Sequence, residues 1–322
     1  MKSSRFLITG ATGFVGSALI RRLLQDNFSV TATVLAGEDA GNLPTDVERI
    51  VVQPLSDHSD YSACLQNIDI VIHLAARVHI MQETATNPLQ EFRKVNLYGA
   101  ERLARQAAKA GVKRFVFMST IGVNGNTSGG RAFTEKDVPR PHNDYSTSKL
   151  EAEISIREIG NETGMEVVIA RSPLVYGPGN PGNFLSLLRV ISKGIPLPLA
   201  SVCNQKSFLY VGNLVDALAC CASHPNAAGQ TYLVSDGEDV STPELIRRVA
   251  AALGKPARLF PVPPGLMRTC GRILGRSSAV ERLLGSLQVD ITKIRCELGW
   301  NPPFTMEEGL DATAERFACK VS

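Results

Sequence analysis

The stretch Thr9-Gly10-Ala11-Thr12-Gly13-Phe14-Val15-Gly16 follows a short apolar run at 6–9 and leads directly into a helical pattern of apolar residues at 15–23. This order indicates a strand, a tight turn and a helix. The first glycine permits the turn, the second lets the backbone approach a pyrophosphate, and the third lets the helix pack closely. The helix N-terminus then faces the phosphates with unpaired N–H groups. The stretch therefore predicts a dinucleotide-binding unit.

The composition is typical of a globular protein. The chain has 322 residues, of which 44% are hydrophobic and 20% charged, and its mean hydropathy is +0.01. This length favours one or two domains, and the balance excludes disordered and collagen-like proteins. The formal net charge of +3 is too small and too dispersed to favour nucleic-acid binding, whereas an anionic small substrate fits it.

Cysteine usage and hydropathy indicate the compartment. The seven cysteines are scattered and form no Cys-x-x-Cys pair, so we expect no metal site and a reducing, cytoplasmic environment. The apolar run after the basic first residues is too short for a signal peptide. No uncharged apolar run is long enough to cross a bilayer, so no integral membrane segment is expected.

The first half of the chain alternates short β-branched runs with helical patterns, which predicts an α/β fold with a doubly wound parallel sheet. The predicted strands are 6–9, 30–34, 49–52, 68–73, 115–118 and 167–170. A single helix is predicted over 89–110, and later helices over 211–222, 243–253 and 306–317. Proline and glycine become frequent after residue 171. We therefore predict a dinucleotide-binding domain at 1–172 and a mainly substrate-binding domain at 173–322, with a strand and helix near 206–234 returning to the first domain.

Tyr145 and Lys149 are the candidate acid-base pair. They stand four residues apart at the start of a helical pattern, so both side chains can reach one site. A tyrosine with the usual pKa of about 10 is a poor base at neutral pH, but a neighbouring ammonium favours the phenolate. The pair therefore indicates proton transfer to or from a substrate oxygen.

These motifs resemble those of the short-chain dehydrogenases/reductases, whose nucleotide loop has the same Gly-x-x-Gly-x-x-Gly spacing. The segment His73-Leu74-Ala75-Ala76 is similar to the one beside the nicotinamide ribose in that superfamily. Further matching segments narrow the resemblance to the NAD-dependent epimerase/dehydratase family, which acts on nucleotide-activated sugars; they are 171–179, 206–217 and 298–302. The resemblance implies a Rossmann-type sheet, a smaller C-terminal α/β substrate domain, and a homodimer built on helices at 89–110 and 145–163.

The resemblance also implies the site residues. Thr120 joins Tyr145 and Lys149 as a catalytic residue, with Ser119 as the neighbouring alternative. The implied cofactor contacts are Gly10, Thr12, Gly13, Phe14, Val15, Gly16, Leu35, Leu55, Leu74, Ala75, Ala76, Asn96, Tyr145, Lys149 and Pro173. The implied contacts to a UDP-sugar substrate are Arg77, Thr120, Asn183, Lys206 and Arg282. Asn124 stands where the family usually has a tyrosine.

The choice between NAD and NADP stays open. An acid at the end of the second strand reads the ribose hydroxyls of NAD, and an arginine there accommodates the NADP phosphate. Here the sequence around the end of that strand is Thr33-Val34-Leu35-Ala36-Gly37-Glu38, and neither residue type is in register. Glu38 or Asp39 could compensate from the loop, although a solvated loop charge is the favoured interpretation.

The implied reaction is hydride transfer at the sugar C4. Dehydratases of the family carry Asp-Glu after the catalytic threonine, where this chain has Ile121 and Gly122, so 4,6-dehydration is not expected. The missing ribose acid suggests an exchanging cofactor and favours a 4-keto-sugar reductase of polysaccharide precursor synthesis, a branch that 73–81 resembles. The alternative is a 4-epimerase of UDP-glucose or UDP-N-acetylglucosamine with tightly bound NAD. A non-catalytic dinucleotide sensor is a distant third reading.

Arg268, Arg272 and Arg276 recur every fourth residue and would line one face of a helix. Such a face could lie on a membrane or form a basic rim over the diphosphate. Gly271 and Gly275 weaken a helix there, so a solvated face is the favoured interpretation.

Overall fold

Two sheets form the framework of the protein. The computed structural model describes residues 4–78 and 86–321, with the side chains of Lys320 and Val321 left out. In this part of the chain the strands are β1 (Arg5–Thr9), β2 (Ser29–Leu35), β3 (Glu48–Val52), β4 (Ile70–His73), β5 (Arg114–Thr120), β6 (Glu166–Ser172), β7 (Leu174–Tyr176), β8 (Lys206–Tyr210), β9 (Thr231–Leu233) and β10 (Asp239–Val240). All six predicted strands are present, with ends shifted by one or two residues.

The larger sheet has the order β3-β2-β1-β4-β5-β6-β9, and all of its neighbouring strands are parallel. The chain runs outward from β1 to β3 and then crosses back to β4, which leaves a crevice at the carboxyl ends of β1 and β4. The predicted doubly wound parallel sheet is confirmed. The smaller sheet has the order β10-β8-β7.

Helices cover both faces of the larger sheet. Those of the described chain are α1 (Phe14–Gln25), α2 (Pro88–Arg93), α3 (Ala100–Lys109), α4 (Asp144–Thr163), α5 (Asn183–Ser192), α6 (Val211–Ser223), α7 (Thr242–Ala252), α8 (Pro264–Ile273), α9 (Ser277–Leu284), α10 (Thr292–Leu298) and α11 (Met306–Val321). Phe6 and Ile8 of β1 pack in one core with α1 and α6, and Leu7 between them packs in another with α3 and α4. Alternate residues of a strand face opposite sides, so β1 is buried on both. Within residues 4–78 and 86–321, no helix has both the length and the hydropathy to cross a membrane.

The helix predicted over 89–110 is interrupted. A π-helical segment, Lys94–Gly99, separates α2 from α3. It turns the Asn96 side chain inward, and it brings Gly99 so close to Leu55 that a Cβ atom on Gly99 would lie 2.7 Å from the Leu55 Cβ. Apolar spacing does not reveal the extra residue per turn, because both contacts are made with distant segments.

A third core lies beside the smaller sheet. It joins side chains of α5, α7 and α11, including Leu188, Val249 and Leu310. The strand β9 lies in the larger sheet and α6 packs on α1, whereas β8 lies in the smaller sheet. The predicted division at residue 172 stays a prediction.

Buried Arg114 of β5 ties the larger sheet to the end of α6. Its Nη1 donates to the carbonyls of Cys221, Ala222 and His224, at 3.1, 3.0 and 2.8 Å. Its Nε donates to Glu166 at 2.7 Å. The guanidinium therefore satisfies the carbonyls that α6 leaves open at its C-terminus.

We expect Arg114→Met to lower the free energy of unfolding by about 2–4 kcal/mol, because it leaves buried carbonyls without donors. Urea unfolding followed by circular dichroism measures this change. The matched control is Arg105→Met, because Arg105 forms exposed ion pairs with Glu101 and Glu162. Its effect should stay within about 1 kcal/mol. Equal effects of the two substitutions would show that the contacts of Arg114 to α6 stabilise the protein no more than an exposed ion pair does.

Candidate active site

The glycine-rich loop between β1 and α1 forms a cradle for a pyrophosphate. Gly10 has φ +65°, and a Cβ atom there would lie 2.8 Å from the main-chain nitrogen of Ala75. A Cβ atom on Gly16 would lie 2.1 Å from the Gly10 carbonyl oxygen, so α1 packs directly on the turn. Gly13 precedes α1 in an extended conformation, and no side chain caps the helix. The first N–H groups of α1 are therefore available to an anion, and the loop fits a dinucleotide.

The residues after β4 lie against this loop. The main-chain nitrogens of Leu74 and Ala75 each donate at 3.3 Å to Thr9, the first to its carbonyl and the second to Oγ1. The predicted cofactor segment Leu74-Ala75-Ala76 thus borders the crevice between β1 and β4. Residues 79–81, which completed the segment used for the reductase reading, lie outside the described residues.

Glu38 bonds to the end of β2, the strand end at which the sequence lacks a ribose-binding acid. Its Oε2 accepts the main-chain N–H of Leu35 at 2.9 Å, and its Oε1 accepts the hydroxyl of Thr12 at 2.5 Å. The carboxylate is exposed, yet it is held between the end of β2 and the glycine loop. Asp39 accepts from Gly41 at 2.8 Å within its own loop. Glu38 is thus exposed to solvent, as the favoured interpretation expects, but anchored by two hydrogen bonds; a role of Glu38 or Asp39 in binding the ribose stays a prediction.

Asn96 and Leu55 occupy structural positions behind the crevice. The buried Asn96 side chain pairs with the main-chain N–H and carbonyl of Arg77, at 2.8 and 3.0 Å, and donates to Ser148 at 3.0 Å. Leu55 is partly buried against Gly99. Asn96 and Leu55, both predicted to contact the cofactor, therefore hold in place the segments that border the crevice.

The predicted catalytic pair lies at the start of α4. Asn143 and Ser146 form a capping box, which fixes the first turn that carries Tyr145. The Tyr145 ring contacts Phe92, and the guanidinium of Arg77 lies 5.6 Å from the Phe92 ring centre. The structure therefore brings the predicted substrate residue Arg77 close to the candidate tyrosine.

Burial controls the titration of the pair. It raises the pKa of Tyr145 to about 12. It lowers the pKa of Lys149 to about 7, against the opposing effect of Glu153. The Lys149 Nζ lies 3.7 Å from the ring centre of Phe117, a cation–π contact. Desolvation of the phenolate therefore outweighs the effect of the Lys149 charge on the Tyr145 pKa.

A buried charge network lies one turn beyond Lys149. Arg171 of β6 donates to both carboxylate oxygens of Glu153, at 2.9 and 2.6 Å, and Ser119 of β5 donates to the same carboxylate at 2.5 Å. A third Arg171 nitrogen donates to Asn124 at 2.9 Å. Asn124 therefore holds the Arg171 side chain in place. This contact gives a role to Asn124, which sequence analysis left without one. The signal available in the sequence was the position of Glu153, four residues after Lys149 on the same helix face.

This network distinguishes Thr120 from Ser119. The Ser119 hydroxyl is buried and donates to Glu153. Thr120 is half-buried at the carboxyl end of β5, and its Oγ1 accepts the main-chain N–H of Gly122 at 3.1 Å. Its hydroxyl proton therefore stays available to a substrate oxygen, as the assignment of Thr120 requires.

The two residues after Thr120 leave no room for further acid-base groups. Ile121 is buried in the core. A Cβ atom on Gly122 would lie 3.2 Å from the imidazole carbon Cε1 of His142 and 3.4 Å from the Thr120 Oγ1. The site thus lacks the carboxylate pair that dehydration requires.

Two predicted substrate cations lie on the same side as His142. The ammonium of Lys206 donates to the main-chain carbonyl of Arg282 at 2.7 Å. Burial and the Arg282 charge together lower the pKa values of both Lys206 and His142. His142 contacts the turn after Thr120 and therefore lines the site. Sequence analysis did not predict this residue. Its position three residues before Tyr145 was the available signal.

The remaining predicted contacts are Pro173 and Asn183, near the junction of the two sheets, and Phe14 and Val15, beneath the glycine loop. Pro173 is buried between β6 and β7. Asn183 is exposed as the first residue of α5. Phe14 and Val15 are partly buried against the core beneath the glycine loop. Their predicted roles in binding stay predictions.

His73 at the end of β4 is a buried imidazole beneath the crevice. Its Nδ1 shares a hydrogen bond of 2.7 Å with the Thr9 hydroxyl, and its Nε2 is buried without a partner among the described residues. Burial and the charge of Lys149 lower the pKa of His73 to about 3. The ring is therefore neutral at physiological pH.

Known proteins resemble this chain over nearly its full length. The model of the NAD dependent epimerase/dehydratase family matches residues 6–235. A UDP-glucose 4-epimerase from Vibrio cholerae is 44% identical over 316 residues, which cover 97% of this chain and 94% of the relative. An N-acetyl-alpha-D-glucosaminyl-diphospho-ditrans,octacis-undecaprenol 4-epimerase from Escherichia coli O157:H7 is 28% identical over 326 residues, or 96% and 94% of the two chains. The solved structure of MoeE5 in complex with UDP-glucose and NAD matches with a TM-score of 0.77 and 26% identity, covering 99% of this chain and 100% of that one.

The buried His73 predicts a loss of stability in acid. The folded-state pKa of about 3 lies below the ordinary 6.5, so the unfolded chain binds more protons as the pH falls through 6.5. Between pH 7 and pH 5 this costs about 2 kcal/mol of unfolding free energy. Urea unfolding of His73→Gln at both pH values should show a correspondingly weaker pH dependence. The exposed His58→Gln is the control; if both variants behave like the wild type, His73 does not control acid stability.

Proposed function

Since the chain belongs to the NAD dependent epimerase/dehydratase family, we propose that it is an NAD-dependent 4-epimerase of UDP-sugars. The observation that carries the proposal is the position of Thr120 at the carboxyl end of β5 and of Tyr145 and Lys149 at the start of α4, which packs against the turn after Thr120. The 44% identity to a UDP-glucose 4-epimerase supports epimerisation as the reaction. The MoeE5 complex with UDP-glucose and NAD supports the classes of substrate and cofactor.

Each catalytic side chain has a defined task in this proposal. Tyr145 exchanges a proton with the sugar O4, and the Thr120 hydroxyl donates a hydrogen bond to that oxygen. The Lys149 ammonium favours the phenolate and so acts against the effect of burial on Tyr145. When bound, NAD supplies the reversible hydride chemistry at C4. The C4 epimer forms only if the sugar rotates in the site between the two proton exchanges. Tyr145 takes part in both exchanges.

The remaining substrate contacts follow the charge of a UDP-sugar. The Lys206 ammonium donates to the main-chain carbonyl of Arg282, and the Arg282 charge acts on His142, which contacts the turn after Thr120. Two cations at this place suit the diphosphate of the substrate. Arg77 contacts Phe92 beside Tyr145 and would meet the sugar.

Glu38 supports NAD as the cofactor. Its carboxylate, held by Leu35 and Thr12, lies where an acid would accept the ribose hydroxyls of NAD and repel the phosphate of NADP. The sequence favoured an exchanging reductase cofactor because no acid ended β2. Glu38 removes that reason, so the epimerase replaces the reductase as the proposed activity.

The predicted homodimer remains part of the proposal. The two helical regions predicted to form it expose apolar side chains, namely Tyr98 in the π-helical segment and Ile154 in α4. Exposed aromatic and aliphatic side chains on neighbouring helices suit a helix-to-helix interface.

Product analysis tests the proposed reaction. The purified protein should convert UDP-glucose or UDP-N-acetylglucosamine to the C4 epimer without added cofactor, as measured by proton NMR. Acid denaturation should release near-stoichiometric NAD. Tyr145→Phe should lower kcat by about 10²–10⁴-fold while the released NAD is unchanged, because only proton transfer is lost. Tyr98→Phe, at an exposed tyrosine, should keep the wild-type kcat. Consumption of NADPH in step with a 4-keto sugar, and no epimer, would identify a reductase instead.

Cofactor affinity tests the assignment of Glu38. In protein stripped of nucleotide, Glu38→Gln should weaken NAD binding by about 10- to 100-fold, because a charged acceptor for the ribose hydroxyls is lost. NADP binding should improve relative to NAD, since the negative charge is removed. Isothermal titration calorimetry gives both Kd values. Asp39→Asn is the matched control and should leave the ratio of the two Kd values unchanged. An unchanged ratio in Glu38→Gln would remove Glu38 from cofactor selection.

A further inference from the structure

The helical hairpin formed by α8 and α9 carries apolar side chains on its outer side. On the inner side of α8, Met267 packs against the third core, and Gly271 is so close to Val280 of α9 that a Cβ atom would lie 2.7 Å from it. The outer side exposes Leu266 by 54% and Ile273 by 79%. α8 is therefore apolar on two sides, of which only one is buried by the fold.

The exposed side chains form a continuous stripe. Leu266 and Ile273 are seven residues apart in α8, with exposed Cys270 between them, so the three share one helix face. Leu274 follows at the end of the helix and is 71% exposed. Isolated exposed leucines are ordinary, but neighbouring exposed apolar side chains mark an interaction surface. We call Leu266, Cys270, Ile273 and Leu274 the outer stripe.

Arginines flank the outer stripe, although not as the sequence predicted. The three arginines do not share one helix face, because the continuous helix that this required ends at Ile273, and Gly275 then adopts φ +63°. Arg268 pairs with Glu281 of α9. Arg272 and Arg276 are exposed and form no ion pair within the described part of the chain. Residues 264–284 contain four arginines and one acidic residue, so this hairpin is as positive as the whole chain, at +3.

We propose that the α8–α9 hairpin docks this protein onto the surface of a bilayer that contains anionic lipids. An apolar stripe beside unpaired arginines is the pattern of a helix that lies in a membrane interface. The stripe enters the boundary between headgroups and acyl chains, and Arg272 and Arg276 meet the lipid phosphates. A second copy of this chain is the poorer occupant, because pairing the same surface would bring two strongly positive hairpins together.

The docked orientation has a consequence for the active site. Arg282 in the last turn of α9 carries the carbonyl that accepts from Lys206, and its charge acts on His142. The candidate substrate cations are therefore continuous with the hairpin. Docking would place the entrance of the site close to the lipid surface. The docking itself rests on the exposed stripe and its charge, and it does not depend on the proposed epimerase activity.

Vesicle flotation tests the docking. The full chain should float with vesicles of 60% phosphatidylcholine and 40% phosphatidylglycerol, and much less with phosphatidylcholine alone. Raising the salt should weaken the binding, because the attraction to the surface is screened. The double variant Ile273→Ser/Leu274→Ser and the double variant Arg272→Glu/Arg276→Glu should each reduce the bound fraction by about tenfold or more. Both should keep the wild-type circular dichroism spectrum and thermal midpoint, since these side chains lie outside the cores.

Matched controls separate this surface from general effects of charge and hydropathy. Val51→Ser removes an exposed apolar side chain elsewhere, and Lys109→Glu/Lys113→Glu reverses two exposed charges between α3 and β5. Both controls should float like the wild type. The proposal is overturned if the wild type does not float, if it floats equally with neutral vesicles, or if controls and hairpin variants lose binding alike. Light scattering on a sizing column adds a further outcome: a lower oligomeric mass of Ile273→Ser/Leu274→Ser would assign the stripe to contacts between copies.

Discussion

The buried ion pair between Glu153 and Arg171 is the constraint on which the geometry of the site depends. Burial of two charges is costly unless the bonding around them is complete. Here the carboxylate accepts three hydrogen bonds, from Arg171 twice and from Ser119, and Asn124 accepts a further N–H of the guanidinium. The ion pair therefore fixes the rotation of α4 about its own axis relative to β5 and β6. Tyr145 and Lys149 lie on the same helix face as Glu153, so the same rotation directs them to the sheet edge.

The nucleotide side of the crevice depends on close backbone packing rather than on charge. Gly10 and Gly16 allow β1, the turn and α1 to approach at distances that no side chain would permit. The approach brings Thr12 to Glu38 and the Leu74–Ala76 segment to Thr9. One loop thus positions the helix N-terminus, the carboxylate at the end of β2 and the edge of β4 around the same space. In the proposed function, this arrangement is how a chain without an acid at the usual ribose position binds NAD.

The positive charge of the chain is concentrated where it can act. The formal net charge of +3 looks unremarkable over 322 residues. Yet Lys206, Arg282 and the hairpin arginines lie in neighbouring elements, and residues 264–284 alone carry a net charge of +3. An anionic substrate and an anionic surface would therefore approach the protein from related directions.

The sequence by itself determined the α/β class, the six strands of the first half, the glycine loop and the spacing of Tyr145 and Lys149. These features depend on local periodicity and on short spacings along one element, which the chain expresses directly. Only the tertiary structure decided the π-helical segment at Lys94–Gly99, the bond from Thr12 to Glu38 and the network around Arg171. Each of these joins residues that are far apart in sequence, and their polar groups are satisfied only after the sheet has formed. The exposure of Ile273 and Leu274 was also decided only by the tertiary structure. Whether an apolar residue is covered depends on which elements pack beside it, and the spacing of residues within a helix does not reveal those elements.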